Sequence, residues 1–358
     1  MRVALVGPPL SGKSTLFAAV AEAGGTQVHL DRPDQPHLVV VKVPDGRLFW
    51  LEEKYKAKKR THAEIELLDL PGFDLTSPQS RDRARTHWPA VRQSDMIVLV
   101  LRQFESSAVP AYRDRRDIQA DLDELWAEMM FADLEQITTR IDKLEGNLKK
   151  PVPGKEREEL TRELQLQQRL SQTLEAEKPL TEAIKSPAEE KLVRAFAFLT
   201  LKPLVVVVNC GEGEVPAQPP PKVGPYEAIF LSAKIEEELA RLEASERAEF
   251  MAELGIAAPA QDRLVRLCYH SMRLVSFLTA GEKEVRAWTI PAGTNAQLAA
   301  GAIHTDLQRG FIRAEIVAYE DLVAAGDEKS AKAAGKYRLE GKDYIVKDGD
   351  VVLFRFSV

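Results

Sequence analysis

The sequence predicts an α/β protein in which a parallel sheet is covered by helices, interrupted by a long helical insertion and followed by a small β-rich domain. Three observations predict this architecture. Apolar runs alternate with amphipathic segments up to about residue 110, a charged stretch with helical periodicity covers residues 118–198, and short strands with turn signals begin at residue 277. The chain has 358 residues, which exceeds what one average core supports, so we expect two or three domains.

Short apolar runs predict the strands of the parallel sheet. The first covers residues 3–6 and is followed by a helix over residues 14–23 that ends at Gly24 and Gly25. Further strands are predicted at residues 65–68, 96–101, 203–208 and 228–231. Because the last two lie after the insertion, the sheet is interrupted in sequence and then resumed.

The insertion carries the apolar spacing of a coiled coil. Apolar residues recur at alternating intervals of four and three, at Met130, Leu134, Ile137, Ile141, Leu144 and Leu148. Residues 151–154, PVPG, break the pattern, and a looser stripe resumes at Leu160, Leu164, Leu170 and Leu174. We therefore expect two long helices that pair as an antiparallel hairpin, and we interpret the stripe as their packing seam.

Composition and charge exclude several classes of protein. The net charge of −6 argues against general nucleic-acid binding, and no specific DNA binding is expected. A basic segment at residues 54–60, KYKAKKR, has two interpretations that stay open, a solvated loop and a local contact with phosphates. The sequence shows neither a membrane-spanning apolar run nor a signal peptide, so we expect a cytoplasmic protein without membrane contact. Cys210 and Cys268 have no metal-ligand spacing.

Residues 7–15, GPPLSGKST, match the phosphate-loop pattern G-x-x-x-x-G-K-[ST] between a predicted strand and a predicted helix. In this context backbone NH groups and the helix N-terminus bind the phosphates of a nucleotide. Lys13 is expected to reach the β- and γ-phosphates, and the Ser14 hydroxyl is expected to ligate Mg²⁺. Lys13 is therefore the candidate catalytic residue. The segment predicts that the protein binds a nucleoside triphosphate.

A second motif, D-x-x-G, begins at Asp69 directly after the predicted strand at residues 65–68. At the carboxyl end of a strand beside the phosphate loop, the Asp69 carboxylate can hold Mg²⁺ through water. Gly72 can donate its NH group to the γ-phosphate. The motif is weak alone and gains weight from its position after the phosphate loop.

A third motif, N-C-G-E, follows the strand at residues 203–208, where guanine-specific GTPases carry N-K-x-D. The aspartate of that pattern accepts two hydrogen bonds from guanine. Here Glu212 is one methylene longer and Cys210 replaces the lysine, which weakens guanine selection and makes ATP the first expectation. Asn209 begins this motif. Ser232 and Ala233 begin S-A-K after the next strand, where the loop is expected to lie against the base.

These motifs, together with longer runs, resemble the YchF family of Obg-like ATPases over nearly the whole chain. The runs that carry the resemblance are VPDGRL, RDIQADLDELWAEMMFADLE, LTLKP, SAKIEEELA, FLTAGEKEVRAWTI, IHTDLQRGFIRAE and EGKDYIVKDGDVVLFRF. The resemblance implies a Ras-like nucleotide domain at residues 1–117 and 199–276. It also implies an inserted helical coiled coil at residues 118–198 and a C-terminal TGS domain, a β-grasp fold, at residues 277–358.

The resemblance also implies an activity, ligands and a partner. The family hydrolyses ATP slowly, binds GTP to varying degrees and associates with ribosomes, so the ribosome or its RNA is the expected partner. The family's nucleotide contacts, transferred position by position, correspond to residues of the phosphate loop and the third motif, and its Mg²⁺ ligand corresponds to Ser14. The residues concerned are Leu10, Ser11, Gly12, Lys13, Ser14, Thr15, Asn209, Cys210 and Glu212.

Two regions depart from the family pattern. A threonine of the first switch that completes the Mg²⁺ shell aligns with Pro33, which has no hydroxyl. The second switch, glycine-rich in the family, here reads FDLTSPQSRDRARTHW, with the family's hydrophobic residue at Phe73 in place of a catalytic glutamine. Two functions therefore stay open, a slow ATPase and a nucleotide-gated interaction scaffold without useful hydrolysis. Among the histidines, His87 in the second switch is the one to test as a base.

Overall fold

The computed structural model of the protein describes residues 1–28, 30, 32 and 34–357. The chain divides into two compact units. The first consists of Met1–Val39 and Glu66–Ala260, and the second of Val40–Ile65 and Gln261–Val358. This division groups the residues differently from the three predicted domains, whose boundaries stay a prediction.

The described residues form the following strands and α-helices. The strands are β1 (Arg2–Val6), β2 (His37–Lys42), β3 (Arg60–Thr61), β4 (Glu64–Asp69), β5 (Met96–Arg102), β6 (Leu204–Asn209), β7 (Lys222–Val223), β8 (Tyr226–Leu231), β9 (Leu274–Thr279), β10 (Val285–Pro291), β11 (Phe311–Ala318), β12 (Arg338–Glu340) and β13 (Asp350–Phe356). The helices are α1 (Lys13–Ala23), α2 (Arg47–Tyr55), α3 (Pro78–Arg85), α4 (Trp88–Gln93), α5 (Ile118–Leu148), α6 (Gly154–Glu175), α7 (Pro187–Arg194), α8 (Ala233–Arg241), α9 (Ala244–Glu253), α10 (Ala260–Ser271), α11 (Ala296–Ile303), α12 (Thr305–Arg309), α13 (Tyr319–Ala325) and α14 (Glu328–Ala333).

A seven-stranded sheet has the order β2-β4-β1-β5-β6-β8-β7. The pairs of β1 with β4 and β5, of β5 with β6 and of β6 with β8 are parallel. Every residue of β5 and β6 is buried, which explains why these strands appear in the sequence as unbroken apolar runs. The five strands predicted for this sheet are confirmed within two residues of their predicted ends. Parallel strands also place their carboxyl ends at one edge of the sheet.

The helical insertion is a hairpin of α5 and α6. The helices run antiparallel, since the Arg140 guanidinium pairs with Glu163 at 2.6 Å and Arg157 donates to the Leu148 carbonyl at 3.3 Å. Their seam buries the predicted Ile137, Leu144, Leu170 and Leu174. The other predicted positions, Leu160 and Leu164 among them, are half-buried, and Leu166 and Gln167, which the sequence pattern did not single out, are buried in α6 as well.

The second unit contains a mixed six-stranded sheet in the order β12-β11-β13-β9-β10-β3. Strand β13 pairs parallel to β9 and antiparallel to β11, so the C-terminal strand lies inside the sheet. Phe277, Ile316 and Phe354 form a core with the alanine-rich face of α11. The predicted α/β class is confirmed by a parallel sheet that a helical hairpin interrupts in sequence and by a second, mixed sheet.

Candidate functional site

The phosphate loop leaves the buried strand β1 and enters α1, which begins at Lys13. Gly12 has a φ of 89°, and a Cβ at this position would collide with the side-chain amide of Asn209. Glycine is therefore required both by the backbone conformation and by the close approach of Asn209. Leu10, the most exposed residue of the loop, also has a positive φ, of 59°. Successive turns of this kind direct backbone NH groups towards one concave surface.

The Lys13 ammonium is buried within the loop. Its Nζ donates to the carbonyl oxygens of Gly7 at 3.1 Å and Pro8 at 2.8 Å. Burial lowers the pKa of Lys13 to about 8, although the charge of Asp69 opposes this shift. Lys13 is thus held at the loop, and a phosphate there would supply the anionic partner that it lacks.

Ser14 and Asp69 lie together at the carboxyl edge of the sheet. Ser14 Oγ donates to Asp69 Oδ2 at 2.7 Å. Burial raises the pKa of Asp69, opposed by this hydrogen bond and by the charge of Lys13. The other carboxylate oxygen, Oδ1, is buried without a hydrogen-bond partner among the described residues. One hydroxyl and one carboxylate with an unpaired oxygen form an oxygen donor set that fits Mg²⁺.

The D-x-x-G motif packs directly on the phosphate loop. A Cβ at Gly72 would lie 2.6 Å from the Cα of Pro9, so a side chain there would push the two segments apart. The backbone NH of Phe73 donates to the Gly7 carbonyl at 3.0 Å, and the Phe73 ring is fully buried. The residue in the place of a catalytic glutamine is therefore part of the core.

Asn209 joins three segments of the site. Its Nδ2 donates to the Ser11 carbonyl at 3.0 Å, and its Oδ1 accepts from the Ala233 backbone NH at 2.9 Å. Ser232 is the N-cap of α8, where its side chain accepts from the Ile235 NH. The amide of Asn209 thus connects the phosphate loop to the S-A-K loop. The structure therefore brings together the phosphate loop, the third motif and the S-A-K loop.

The end of the third motif is more exposed. Cys210 is buried, and burial, followed by the charge of Glu214, raises the pKa of its thiol to about 11. Glu212 Oε1 forms an ion pair with Lys234 Nζ at 2.6 Å. The carboxylate predicted to select the base therefore has a cationic partner from the S-A-K loop, which sequence reasoning did not anticipate.

A cavity of about 430 Å³ opens beside the phosphate loop. It contains the predicted Gly12, Thr15, Asn209, Cys210, Glu212, Ser232 and Ala233, and also Gly211 and Lys234. Sequence reasoning missed the lining residues Phe104, Glu105, Ser106 and Glu214. The available signal was the position of Phe104, Glu105 and Ser106 just after β5, because that strand ends at the same edge of the sheet as β1.

Arg102 shapes the loop that presents Phe104. Its guanidinium donates to the carbonyls of Phe104, Val109 and Pro110 and lies 4.1 Å from the centre of the Phe104 ring. These contacts fix the irregular loop where it leaves β5. Phe104 is held at the cavity as an apolar surface on which a nucleobase can stack.

The second switch is largely helical. Residues 78–85 form α3 and residues 88–93 form α4, with Ser77 as the N-cap of α3. His87 precedes α4, half-buried, with its ring centre 6.1 Å from that of Phe73, and burial lowers its pKa. No described contact joins His87 to Lys13 or Ser14. Pro33, the predicted departure in the first switch, lies outside the described residues.

The basic segment at residues 54–60 is partly neutralised within its own unit. Arg60 pairs with Glu52 at 2.6 Å, and Lys59 pairs with Glu284 at 3.3 Å. The side chains of Lys54, Lys56 and Lys58 are exposed. Both interpretations of this segment, a solvated loop and a contact with phosphates, stay open.

A phosphate loop after β1, a D-x-x-G motif after β4 and an asparagine-led motif after β6, all at one edge of a parallel sheet, define a P-loop NTPase of the Ras-like class. The chain belongs to the YchF family. It is 37% identical to the ribosome-binding ATPase YchF of Bacillus subtilis over 99% of this chain and 98% of that protein. It is 33% identical to the Obg-like ATPase 1 of Oryza sativa subsp. japonica over 100% of this chain and 92% of that protein.

Family profiles and a solved structure agree with this assignment. Residues 2–132 match the family described as 50S ribosome-binding GTPase, and residues 274–357 match the C-terminal YchF GTPase family, described as a protein of unknown function. The structure of the Schizosaccharomyces pombe YchF GTPase superposes with a TM-score of 0.82 and 27% identity, covering 99% of this chain and 97% of that one. Among the described residues, no helix has the length and apolar character needed to cross a membrane.

Proposed function

We propose that the protein is a slow, Mg²⁺-dependent ATPase that also accepts GTP and associates with the ribosome. The observation that carries the proposal is the bridge made by Asn209 between the phosphate loop and the S-A-K loop, beside the cavity lined by Cys210 and Glu212. This bridge supports the proposal, because it joins the loop expected to bind the phosphates to the loop expected to lie against the base. The ribosome enters the proposal from the relatives named ribosome-binding ATPase.

The residues of the site have distinct roles in this proposal. Backbone NH groups from Leu10 to Thr15 bind the phosphates, and Lys13 stabilises negative charge on the β- and γ-phosphates. Ser14 and Asp69 hold Mg²⁺, which supplies charge neutralisation to the phosphates when it is bound. Gly72 donates its NH group to the γ-phosphate, while Ser232 and Ala233 contact the base.

A second candidate function is a nucleotide-gated scaffold that does not usefully hydrolyse its ligand. The observation in its favour is the second switch, where the residues after Gly72 include no glycine and form the arginine-rich helix α3, in contrast to the family's glycine-rich stretch. Phe73 does not separate the two candidates, because the family carries a hydrophobic residue at this position as well. With a buried ring in place of a catalytic glutamine, any turnover requires another water-positioning group, and His87, whose ring centre lies 6.1 Å from that of Phe73, is the residue of the second switch to test.

The test measures ATP and GTP affinity side by side with Mg²⁺, for the native chain and for Lys13→Ala. We expect the native chain to bind both nucleotides and the variant to bind neither tightly. A preference for GTP above tenfold would overturn the adenine assignment, and equal affinities of native chain and variant would overturn the phosphate-loop assignment. Phosphate release on the same samples separates the candidates, because turnover abolished by Lys13→Ala supports the ATPase and no turnover in either supports the scaffold.

Ribosome association is tested by co-sedimentation with purified ribosomes, without nucleotide and with ATP or a non-hydrolysable analogue. We expect binding that changes with the nucleotide. Failure to co-sediment under all three conditions would remove the ribosome from the proposal while leaving the nucleotide site intact.

A further inference from the structure

Most of the charged side chains that line the nucleotide cavity are carboxylates. Glu105, Glu212 and Glu214 contribute three negative charges, and Lys234 is the one cation among the described lining residues. The distribution of these four charges therefore determines what the base encounters.

Each carboxylate has a separate partner. Glu105 pairs with Arg116 at 3.3 Å, and Glu214 Oε2 accepts from the Gly211 backbone NH at 3.0 Å. Lys234 forms an ion pair with Glu212, with its Nζ 2.6 Å from Oε1. The contact also raises the pKa of Lys234, so the ammonium is charged at neutral pH. Lys234 thus acts on the carboxylate of the third motif and not on its neighbours.

Guanine and adenine present different hydrogen-bonding groups to that carboxylate. Guanine presents two adjacent donors, N1–H and the 2-amino group, which a carboxylate satisfies with both of its oxygens. Adenine presents one donor, the 6-amino group, next to an acceptor, N1. A carboxylate oxygen that already accepts from an ammonium keeps one lone pair, but the ammonium fixes its direction and draws on its charge. Such a carboxylate satisfies the single donor of adenine with its other oxygen and pairs the second guanine donor poorly, and a poorly paired donor in a site is costly.

We propose that Lys234 is a specificity-determining residue, which disfavours guanine nucleotides by occupying one carboxylate oxygen of Glu212. This inference rests on the proposed function, because it concerns the base of the nucleotide bound at the same site. It adds a second cause of adenine preference to the length of the glutamate side chain. The lysine belongs to the S-A-K loop, which is held beside the third motif by the hydrogen bond from Ala233 to Asn209.

Both side chains are largely exposed, at 67% for Lys234 and 55% for Glu212, so water screens the pair. The effect on specificity is therefore modest, and we expect a change of about threefold to fivefold in the ratio of ATP to GTP affinity. The ratio is the informative quantity. An ammonium that attracted the phosphates would strengthen ATP and GTP equally and would leave the ratio unchanged.

The experiment is calorimetric titration of the full chain with ATP and with GTP, both with Mg²⁺. Lys234→Met keeps the unbranched stem and removes the ammonium, and Lys178→Met, an exposed lysine beyond the end of α6, is the matched control. We expect Lys234→Met to strengthen GTP relative to ATP and Lys178→Met to leave the ratio unchanged. A ratio that stays the same in Lys234→Met would overturn the proposal.

A double-mutant cycle tests whether the lysine acts through Glu212. In a Glu212→Gln background, the lysine has no carboxylate to occupy, so adding Lys234→Met should not change the ratio further. An equal effect of Lys234→Met in both backgrounds would overturn the proposal, because the lysine would then act on the nucleotide directly. Failure of the native chain to bind either nucleotide would instead contradict the proposed function.

Discussion

At the scale of single residues, the site depends on charges that are buried before any ligand arrives. Lys13 has carbonyl oxygens as its hydrogen-bond partners, and Asp69 has one oxygen without a partner among the described residues. Both groups are desolvated, and their opposite charges compensate each other only in part. A triphosphate with Mg²⁺ would supply the missing negative and positive partners. The free protein is thus prepared for its ligand at a cost in stability.

The pKa of Lys13 predicts that nucleotide affinity falls at alkaline pH. Its value is about 8 in the free protein, and bound phosphates raise it, so binding takes up a proton above pH 8. We expect the affinity for ATP to decrease above pH 8 by up to about tenfold per pH unit. Titrations between pH 7.5 and 9.5 at constant ionic strength check this. Lys13→Ala is the control and should lose the pH dependence, whereas a flat profile for the native chain would contradict the prediction.

The lowered pKa of Lys13 also affects the stability of the free protein, but in the opposite direction. A rise in pH that weakens ATP binding makes the free protein more stable. The pKa of Lys13 is lowered from 10.5 in the unfolded chain to about 8 on folding, so between these values the unfolded chain binds more protons. The contribution of Lys13 to the free energy of unfolding therefore increases as pH rises through this window. The destabilisation by the buried Lys13 ammonium reaches its full extent below pH 8, where the side chain is protonated in the folded chain as well as in the unfolded chain.

At the scale of elements, the second switch is fixed to the root of the helical hairpin. The buried carboxylate of Glu128 on α5 pairs with Arg85 at 2.7 Å and with Arg81 at 3.4 Å, both on α3. The loop before α3 is held as well, because Arg113 donates to the Leu75 carbonyl at 2.9 Å. An arginine-rich helix docked on an acidic position thus forms the segment after D-x-x-G, which the sequence predicts to depart from the family's glycine-rich switch.

Glu128→Gln tests this attachment. The amide keeps the shape of the side chain but removes the charge that two arginines share, so we expect α3 to detach more often. The free energy of unfolding should fall by about 1–3 kcal/mol, and trypsin should cleave faster after the arginines of α3. Urea unfolding and limited proteolysis measure these two effects. Glu145→Gln, an exposed position on the same helix, is the control, and identical behaviour of the two variants would contradict the attachment.

The hairpin seam contains one polar side chain without compensation. Gln167 on α6 is fully buried beside Leu166 and Leu170, and neither its Oε1 nor its Nε2 has a hydrogen-bond partner among the described residues. Gln167→Leu removes two unpaired polar atoms and keeps a side chain of similar size. We expect the variant to be more stable by about 1–2 kcal/mol, seen as a higher melting temperature. The exposed Gln168→Leu is the control. A lower melting temperature for Gln167→Leu would show that the amide has a partner.

The sequence predicted the elements of the site better than its loops. Asp69 and Asn209 are the last residues of the parallel strands β4 and β6, and Lys13 lies in the phosphate loop that leaves β1. Because such strands end at one edge of the sheet, the meeting of these residues could be predicted from their order. Phe104 and Glu214 lie on irregular loops, whose paths depend on side-chain contacts such as those of Arg102. The docking of α3 depends on Glu128, which lies far away in the chain. No local sequence pattern specifies the path of these loops or the contact between α3 and Glu128.

At the scale of the whole molecule, each unit contains one buried cysteine, Cys210 in the first and Cys268 in the second. The exposed fraction of these residues is 2% and 1%. Burial raises the pKa of the Cys210 thiol to about 11 and that of Cys268 to about 12, so both are protonated and shielded at pH 8. Each thiol therefore reports on the opening of its own unit.

The two thiols predict a selective protection by nucleotide. Cys210 lines the cavity beside the phosphate loop, whereas Cys268 lies on α10 in the second unit. Without denaturant at pH 8, we expect N-ethylmaleimide to label both slowly, and saturating ATP with Mg²⁺ to slow Cys210 because the ligand covers the cavity and stabilises the folded first unit. Mass spectrometry of peptides from pulse-labelled samples measures both rates in one experiment, with Cys268 as the internal reference. Lys13→Ala provides the control, because without nucleotide binding its Cys210 should label equally fast with and without ATP. Unchanged labelling of Cys210 in the native chain at saturating nucleotide would place the base elsewhere.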